Sequence, residues 1–209
     1  MAVQAVPTKG NLMNSKKSLE LSRLGYELLD KKRNILIREL MSLIDKSKSI
    51  QSKIDKAYEE AYLALETANI TLGFCDEISR SVEEEDSLTL SYRSVMGVEI
   101  PIVAIEEKDG LDLQYGLYTT NSILDSAQQK FMEVKYLTAQ LAEIENSVYR
   151  LATAISTTQR RANALKNIMI PRFEGTVKYI TDALDEKDRE EFSRLKVIKR
   201  QKQAAAESE

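Results

Sequence analysis

Apolar residues recur at alternating steps of four and three residues between positions 36 and 68. This spacing is the heptad pattern of a coiled coil, in which one stripe of core positions packs against a partner helix. Neither proline nor glycine interrupts the stretch, and so long a helical pattern without an internal cap is typical of a coiled coil. The ten core positions, of which only one is polar, are Leu36, Leu40, Leu43, Ser47, Ile50, Ile54, Ala57, Ala61, Ala64 and Ala68.

The same helix is predicted to begin before this stripe and to end after it. We expect a flexible N-terminus over residues 1–11 and a helix over residues 12–80, which at about 1.5 Å per residue is roughly 100 Å long. Gly25 lies inside the helix, where it costs about 1 kcal/mol relative to alanine and permits a partner to approach closely. The leucines that continue the apolar pattern toward the N-terminus are Leu12, Leu19, Leu21, Leu24 and Leu28.

The middle of the chain changes from a helical to a strand-like period. Leu88, Leu90 and Tyr92 alternate with polar residues, and a second β-branched run surrounds Pro101. Gly97 between the two runs suits a tight turn, and proline is tolerated because both strands of a hairpin are edge strands. We therefore predict a β-hairpin over about 87–105, within an acidic insert over 81–117. Such a hairpin is barely stable alone, so it must lean on the helices or on another protein.

A second heptad stripe follows the insert and predicts a second long helix, over residues 118–200. Pro171 interrupts the stripe and should kink the helix. Beyond it the apolar pattern resumes at Phe173 and continues to Phe192, Leu195 and Ile198, followed by a flexible tail over 201–209. The core positions before the proline are Leu124, Ala127, Phe131, Val134, Leu137, Leu141, Ile144, Val148, Leu151, Ile155, Thr158, Ala162, Leu165 and Met169.

Two heptad stripes that flank one short insert predict a mainly α fold. The simplest arrangement is a long antiparallel two-helix coiled coil within one chain, with a small β-hairpin between the helices. If Ile78 faces residue 120, the numbers of facing residues add up to about 198. On that register the four alanines of the first stripe face the section from Phe131 to Leu141.

The charges are uneven, and the residue types needed for most enzymatic chemistry are scarce. The net charge is −3, but residues 1–50 hold ten basic and five acidic residues, whereas residues 76–125 hold three basic and twelve acidic ones. Two poles of opposite charge indicate different partners. The chain has no histidine and one cysteine, Cys75, which excludes the usual zinc sites and an intramolecular disulfide. It contains no phosphate-binding glycine motif. We expect no catalytic residue, no cofactor, no metal site and no membrane-spanning segment.

Three short motifs, in order and at the two ends of the chain, resemble those of the D subunit of the V/A-type rotary ATPases. The resemblance spans the whole chain, including the strand-like insert. The motifs are Pro7-Thr8-Lys9 followed by the G-x-x-L-L-x-K-K-R element from Gly25 to Arg33, the R-R-x-N-A-L element from Arg160 to Leu165, and Ile170-Pro171-Arg172-Phe173.

The resemblance implies a non-catalytic rotor shaft that couples ATP synthesis or hydrolysis to proton or sodium transport. Its partners would be the A and B subunits of the catalytic hexamer, the F subunit, and the funnel-shaped C subunit on the membrane ring. The protein would be cytoplasmic and peripheral to the membrane, without inserting into it. We hypothesise that a basic surface meets acidic loops of the hexamer, formed by Lys31, Lys32, Arg33, Arg160, Arg161 and Arg172. On the expected register, the segment 31–33 lies close to 166–172.

Two alternatives remain open from the sequence. A nucleic-acid-binding helical hairpin is favoured by the basic chain ends, although the net negative charge and the lack of an aromatic–basic motif oppose it. A coiled-coil adaptor, including one on a membrane surface, would account for the heptads, but it would not predict the paired arginine and proline motifs.

Overall fold

The computed structural model describes residues 6–80, 87–105, 115, 116, 118 and 120–206 of the 209-residue chain. The acidic segments 81–86 and 106–114, the first five residues and the last three lie outside the described residues. The predicted fold class is confirmed, because a long N-terminal and a long C-terminal helix pack together and a two-stranded hairpin lies between them. The elements are α1 (Lys9–Leu72), α2 (Asp76–Ser79), β1 (Leu88–Val95), β2 (Val98–Ile105), α3 (Ser122–Ala164), a π-helical segment (Leu165–Met169) and α4 (Ile170–Ala206).

The chain divides into two compact units, each containing part of both long helical stretches. Unit 1 combines Met1–Arg33 with Thr157–Glu209, and unit 2 is Asn34–Ser156. In unit 2 the predicted stripe of α1 is the packed face: all ten core positions are buried or half-buried. Leu36, Ala61 and Ala68 are completely inaccessible to solvent. The core positions of α3 are buried or half-buried as well, so the two stripes cover each other as predicted.

Contacts between the helices establish their direction and register within each unit. In unit 2, Tyr62 meets Phe131 edge-on with ring centroids 5.7 Å apart, and the Asn121 amide donates to Thr71 Oγ1 at 3.0 Å. The residue numbers in these pairs add up to 193 and 192. A nearly constant sum means that the helices run antiparallel. In unit 2 the sum is thus five or six below the expected value of about 198, and Ala61 lies at the level of Phe131 rather than Leu137.

Within unit 1, the first turns of α1 use a different face from the one that the leucines indicate. Leu21, Leu24 and Leu28 are 69%, 50% and 66% exposed, so these three leucines do not lie on the packed stripe. The half-buried positions continue the spacing of the stripe in phase with Leu36, but several of them are polar. They are Leu12, Ser15, Leu19, Ser22, Tyr26, Leu29 and Arg33. The apolar pattern misidentified the face because polar residues occupy core positions here.

Pro171 is accommodated by a change of helix type rather than by the end of the helix. Proline has no N–H with which to continue the ordinary hydrogen-bond ladder. Directly before it the helix widens into the π-helical segment, in which the N–H of Ile170 donates to the carbonyl of Leu165. A single π-helical turn is the usual form of such an insertion. Farther along α4, Ile180 is fully buried, whereas Phe192, Leu195 and Ile198 are 47–65% exposed, so the predicted stripe does not stay packed to its end.

Replacement of Gly25 by alanine should stabilise the chain. A Cβ atom at this position would lie 3.6 Å from Leu165 Cδ1, an ordinary packing distance. Alanine also removes the entropic cost of glycine in a helix, so the free energy of unfolding should rise by about 0.5–1 kcal/mol, measured by chemical denaturation. The matched control Gly97→Ala should lower the unfolding free energy, because Gly97 has φ +77°. A destabilised Gly25→Ala variant would show that the helices approach too closely at this position for a methyl group.

Candidate partner-binding surfaces

The six basic residues predicted to meet a partner all lie in unit 1, but they differ in exposure. Lys31, Arg160, Arg161 and Arg172 are exposed, whereas Lys32 and Arg33 are half-buried. The four exposed cations lie on the surface of unit 1, where an acidic partner can reach them. Lys32 and Arg33 are half-buried, so contacts within the chain can occupy them instead.

Arg33 is part of a polar layer inside unit 1. It occupies a core position of the α1 stripe, where its Nη2 lies 2.6 Å from Asp30 Oδ1 and its Nη1 donates to Gln159 Oε1 at 2.9 Å. Gln159 in turn donates to Asn163 Oδ1 at 2.9 Å. A charged group that is only partly accessible needs such partners to offset its lost hydration. Arg33 therefore joins α1 to α3, and its guanidinium is engaged within the chain.

The register brings five of the six basic residues to one level and leaves the sixth apart. The contact between Arg33 and Gln159 places the segment 31–33 beside 159–161, not beside 166–172 as expected. Lys166 instead lies over the ring of Tyr26, with Nζ 5.8 Å from the centroid. Arg172 lies two residues before Glu174, which pairs with Arg23 of α1. Arg23 lies ten residues before Arg33, a distance of about 15 Å along a helix.

The β-hairpin forms a second candidate surface, in unit 2. Its strands pair antiparallel from Leu88↔Ile105 to Val95↔Val98. The two residues of the turn, Met96 and Gly97, both have positive φ (51° and 77°), as a type I′ turn requires. The predicted hairpin and turn are thus present where the sequence indicated them.

One isoleucine anchors the hairpin to the helices. Ile100 is 1% exposed and belongs to a buried cluster with Leu36 and Leu43 of α1 and Ile144 and Leu151 of α3. Burial of a side chain of this size contributes about 1.5–3 kcal/mol. This contact supplies the stability that a two-stranded hairpin lacks by itself.

Polar contacts hold the hairpin from both helices. Arg93 of β1 pairs with Glu39 of α1 at 2.9 Å. From α3, Glu143 Oε2 accepts a hydrogen bond from the Val103 N–H at 2.8 Å, and Arg150 donates to the Glu99 carbonyl at 3.3 Å. The guanidinium of Arg150 also lies 5.6 Å from the centroid of the Tyr92 ring. These contacts fix the orientation of the hairpin as well as its position.

An apolar cleft of about 580 Å³ lies at the base of the hairpin. Leu88 and Ile105 line it together with Tyr58, Tyr62 and Phe131 of the helices. Tyr58 and Tyr62 are stacked, with centroids 5.9 Å apart. The cleft extends the apolar surface of the hairpin toward the helices.

Tyr115 is hydrogen-bonded at the start of α3 in unit 2. Burial, reinforced by its hydrogen bond to Asp125, raises the pKa of the Tyr115 phenol above its usual range, so Tyr115 stays protonated at physiological pH. Its hydroxyl donates to Asp125 Oδ1 at 2.7 Å, close to the start of α3. Among the described residues, no three acidic or cysteine side chains are grouped as a metal ion would require. No helix in the described ranges is long and apolar enough to cross a bilayer.

Sequence reasoning missed the residues that hold the hairpin. Glu39, Arg93, Glu143 and Arg150 were not singled out, because isolated charges on helices are common and most are only solvated. One weak signal was available: Glu143 and Arg150 are seven residues apart, which places them on the same face of a helix.

Comparison with known proteins is consistent across the chain. The family described as the D subunit of ATP synthase matches residues 11–200. The D subunit of the V-type ATP synthase of Thermotoga neapolitana is 41% identical over 199 residues, covering 94% of this chain and 98% of the relative. The D subunit of the A-type ATP synthase of Methanobrevibacter smithii is 40% identical over 198 residues, covering 92% and 85%. The A-type protein of the same name from Pyrococcus abyssi is 38% identical over 197 residues, covering 92% of each chain.

Replacement of Ile100 by alanine should release the hairpin. Removal of buried methyl groups from the cluster should lower the free energy of unfolding by about 2–5 kcal/mol, measured by chemical denaturation of the full chain. Leu90→Ala is the matched control, since Leu90 is 57% exposed and its loss should change the free energy by about 0.5 kcal/mol or less. Equal effects of the two substitutions would contradict the anchoring role of Ile100.

Proposed function

The chain belongs to the D-subunit family of ATP synthases, and from this premise we propose that it is the central rotor shaft of a V/A-type ATP synthase. In this role it connects the hexamer of A and B subunits to the membrane ring and rotates within the hexamer. It thereby couples ATP synthesis or hydrolysis to the transport of protons or sodium ions. It performs no chemistry itself, and it works on the cytoplasmic side, peripheral to the membrane.

The observation that best supports this proposal is the continuous stripe along α1 that stays packed in both units. A helical pair transmits torque only if its two helices cannot slide or unwind past each other. Interlocked apolar side chains resist such movement, because protein interiors are as densely packed as organic crystals. Within unit 2, Leu36 and Leu151 are completely buried, and within unit 1 Ile180 is as well.

Polar contacts tie the helices together within each unit. In unit 1, Arg23 pairs with Glu174 at 2.6 Å, and the Arg33 layer provides a second tie. Exposed pairs add little stability, but a hydrogen-bonded polar layer at a core position selects one register over its neighbours. A shaft needs one register, since slippage between its helices would dissipate torque.

A rotor also has to present different faces to the three similar interfaces of a hexamer. We propose that the π-helical segment before Pro171 and the uneven basic surface supply this asymmetry. The basic surface is formed by Lys31, Lys32, Arg160 and Arg161 at one level, with Arg172 about 15 Å away along the helix. Arg33 supports this surface from within. Acidic loops of the A and B subunits are the partners proposed for it, and the F and C subunits are the partners proposed for unit 2.

The rotor role can be tested by attaching a bead to the chain in the purified complex. The chain should co-purify with the A and B subunits, and added ATP should drive stepwise rotation of the bead when the hexamer is fixed to a surface. Non-hydrolysable ATP is the control that should abolish movement. A complex that hydrolyses ATP while a firmly attached bead stays still would contradict the proposal.

Charge reversal at Arg160 and Arg161 tests the basic surface separately. The double variant Arg160→Glu/Arg161→Glu should lower the ATPase rate of the assembled complex several-fold, because repulsion replaces attraction at the hexamer. The matched control is Lys46→Glu/Lys48→Glu, which makes the same change of charge at two exposed positions of unit 2. Unchanged turnover and coupling in the Arg160/Arg161 variant would eliminate the basic surface as a contact.

A further inference from the structure

The hairpin stands edge-on against the helices, with β2 inside and β1 outside. Ile100 and Pro101 are consecutive residues of β2, so their side chains point to opposite faces of the hairpin, yet both are buried. Both faces of β2 are therefore covered at this point. In β1, by contrast, seven of the eight residues are exposed and the eighth is half-buried. β1 is thus the more exposed of the two strands, although Arg93 still contacts Glu39 of α1.

The pairing pattern identifies the backbone groups on this outer edge. A two-residue turn is closed by a hydrogen-bonded pair, here Val95↔Val98, and hydrogen-bonded and non-hydrogen-bonded pairs alternate along the strands. The N–H and C=O groups of Leu88, Leu90, Tyr92 and Ser94 therefore point away from β2. Two observations on the other strand agree with this phase: Val103, opposite Leu90, sends its N–H outward to Glu143, and Pro101, opposite Tyr92, needs no inward N–H.

The two outer edges of the hairpin differ in the hydrogen bonding of their backbone groups. On the outer edge of β2, the Val103 N–H donates to the Glu143 carboxylate, the Glu99 carbonyl accepts from Arg150, and Pro101 has no N–H. Within the described part of the chain, no backbone hydrogen bond reaches the outer edge of β1. Proteins usually protect such an edge with proline, a bulge, a charge or a covering element. β1 has no proline, its register is unbroken, and its one charge, Arg93, is paired with Glu39.

One face of β1 carries a row of large, mainly apolar side chains. Leu88, Leu90 and Tyr92 are 47%, 57% and 56% exposed, and they share one face of the strand. At Leu88 this row joins the apolar cleft lined by Tyr58 and Phe131. An extended backbone offers alternating N–H and C=O groups at the spacing of the whole free edge, so another β-strand is the occupant that matches all of it.

We propose that β1 accepts a third strand from a neighbouring protein of the ATP synthase, by β-augmentation. The incoming strand pairs with the backbone of Leu88, Leu90, Tyr92 and Ser94, and its apolar side chains cover the row that ends at the cleft. This inference rests on the proposed function, because that function supplies the neighbouring protein. The contacts of Ile100, Arg93 and Arg150 hold the edge in place before binding, which reduces the conformational entropy lost on association.

Hydrogen–deuterium exchange at single-amide resolution tests this pairing in the intact complex. In the free chain, the amides of Leu90, Tyr92 and Ser94 should exchange quickly, whereas the inward amides of Ser91 and Arg93 should be protected. In the purified complex, the outward amides should slow by at least tenfold. Exchange of the outward amides at the free-chain rate in the complex would overturn the proposal.

Substitution at Leu90 separates backbone pairing from side-chain cover. Leu90→Pro removes an outward N–H and leaves the ladder between β1 and β2 intact, as Pro101 does on the opposite strand. Leu90→Thr removes the leucine side chain but keeps the N–H. In complexes carrying these variants, the proline should abolish the protection of Tyr92 and Ser94, and the threonine should preserve it. Protection that persists with proline would show that a surface covers the edge without pairing to it.

Two controls make the outcomes unambiguous. Circular dichroism and the thermal midpoint of the free variants report whether the hairpin and helices remain folded. Light scattering of the free chain tests the alternative occupant: a dimer with protected outward amides would mean that β1 pairs with a second copy, and would overturn the proposal. Co-purification with the A and B subunits reports on the proposed function independently, since that function holds even if the outward amides stay unprotected.

Discussion

The structure depends on one stripe of core positions, spaced alternately by four and three residues, on α1. In both units this stripe is the face that packs against the C-terminal helical stretch. Between Leu36 and Ala68 it is almost entirely apolar, and burial is its main source of stability. Between Leu12 and Arg33 the same positions carry Ser15, Ser22, Tyr26 and Arg33, so polar contacts contribute more of the cohesion in unit 1.

This difference between the units has a physical consequence. An apolar seam resists sliding through close packing, but burial has no preferred direction. A hydrogen-bonded layer such as Arg33, Asp30 and Gln159 adds that direction, because its polar groups lose their partners in any other register. Unit 1 therefore combines a specific register with an outer surface of basic residues and exposed leucines. Unit 2 combines a closely packed core with a laterally attached hairpin.

The hairpin illustrates how a marginal element becomes a stable one. Two strands alone bury too little surface, and β1 buries almost none. Ile100 supplies the apolar anchor, while Glu143, Arg150 and Glu39 supply directional contacts. The backbone contacts that the helices make with the hairpin reach β2, whereas β1 is held through its side chains, so the backbone groups on the outer edge of β1 stay available. A surface for a partner thus follows directly from the way in which the element is attached.

The sequence by itself determined the two long helical stretches, their apolar stripes, the hairpin with its turn at Gly97, and the family, because these depend on local spacing and on short motifs. Only the tertiary structure decided which face of α1 packs before Leu36, where polar core residues reverse the apparent pattern. It also decided the register, because two heptad stripes can face each other at more than one shift along the helices. The engagement of Arg33 and the edge-on hairpin likewise depend on contacts between residues far apart in the chain, which no local pattern encodes.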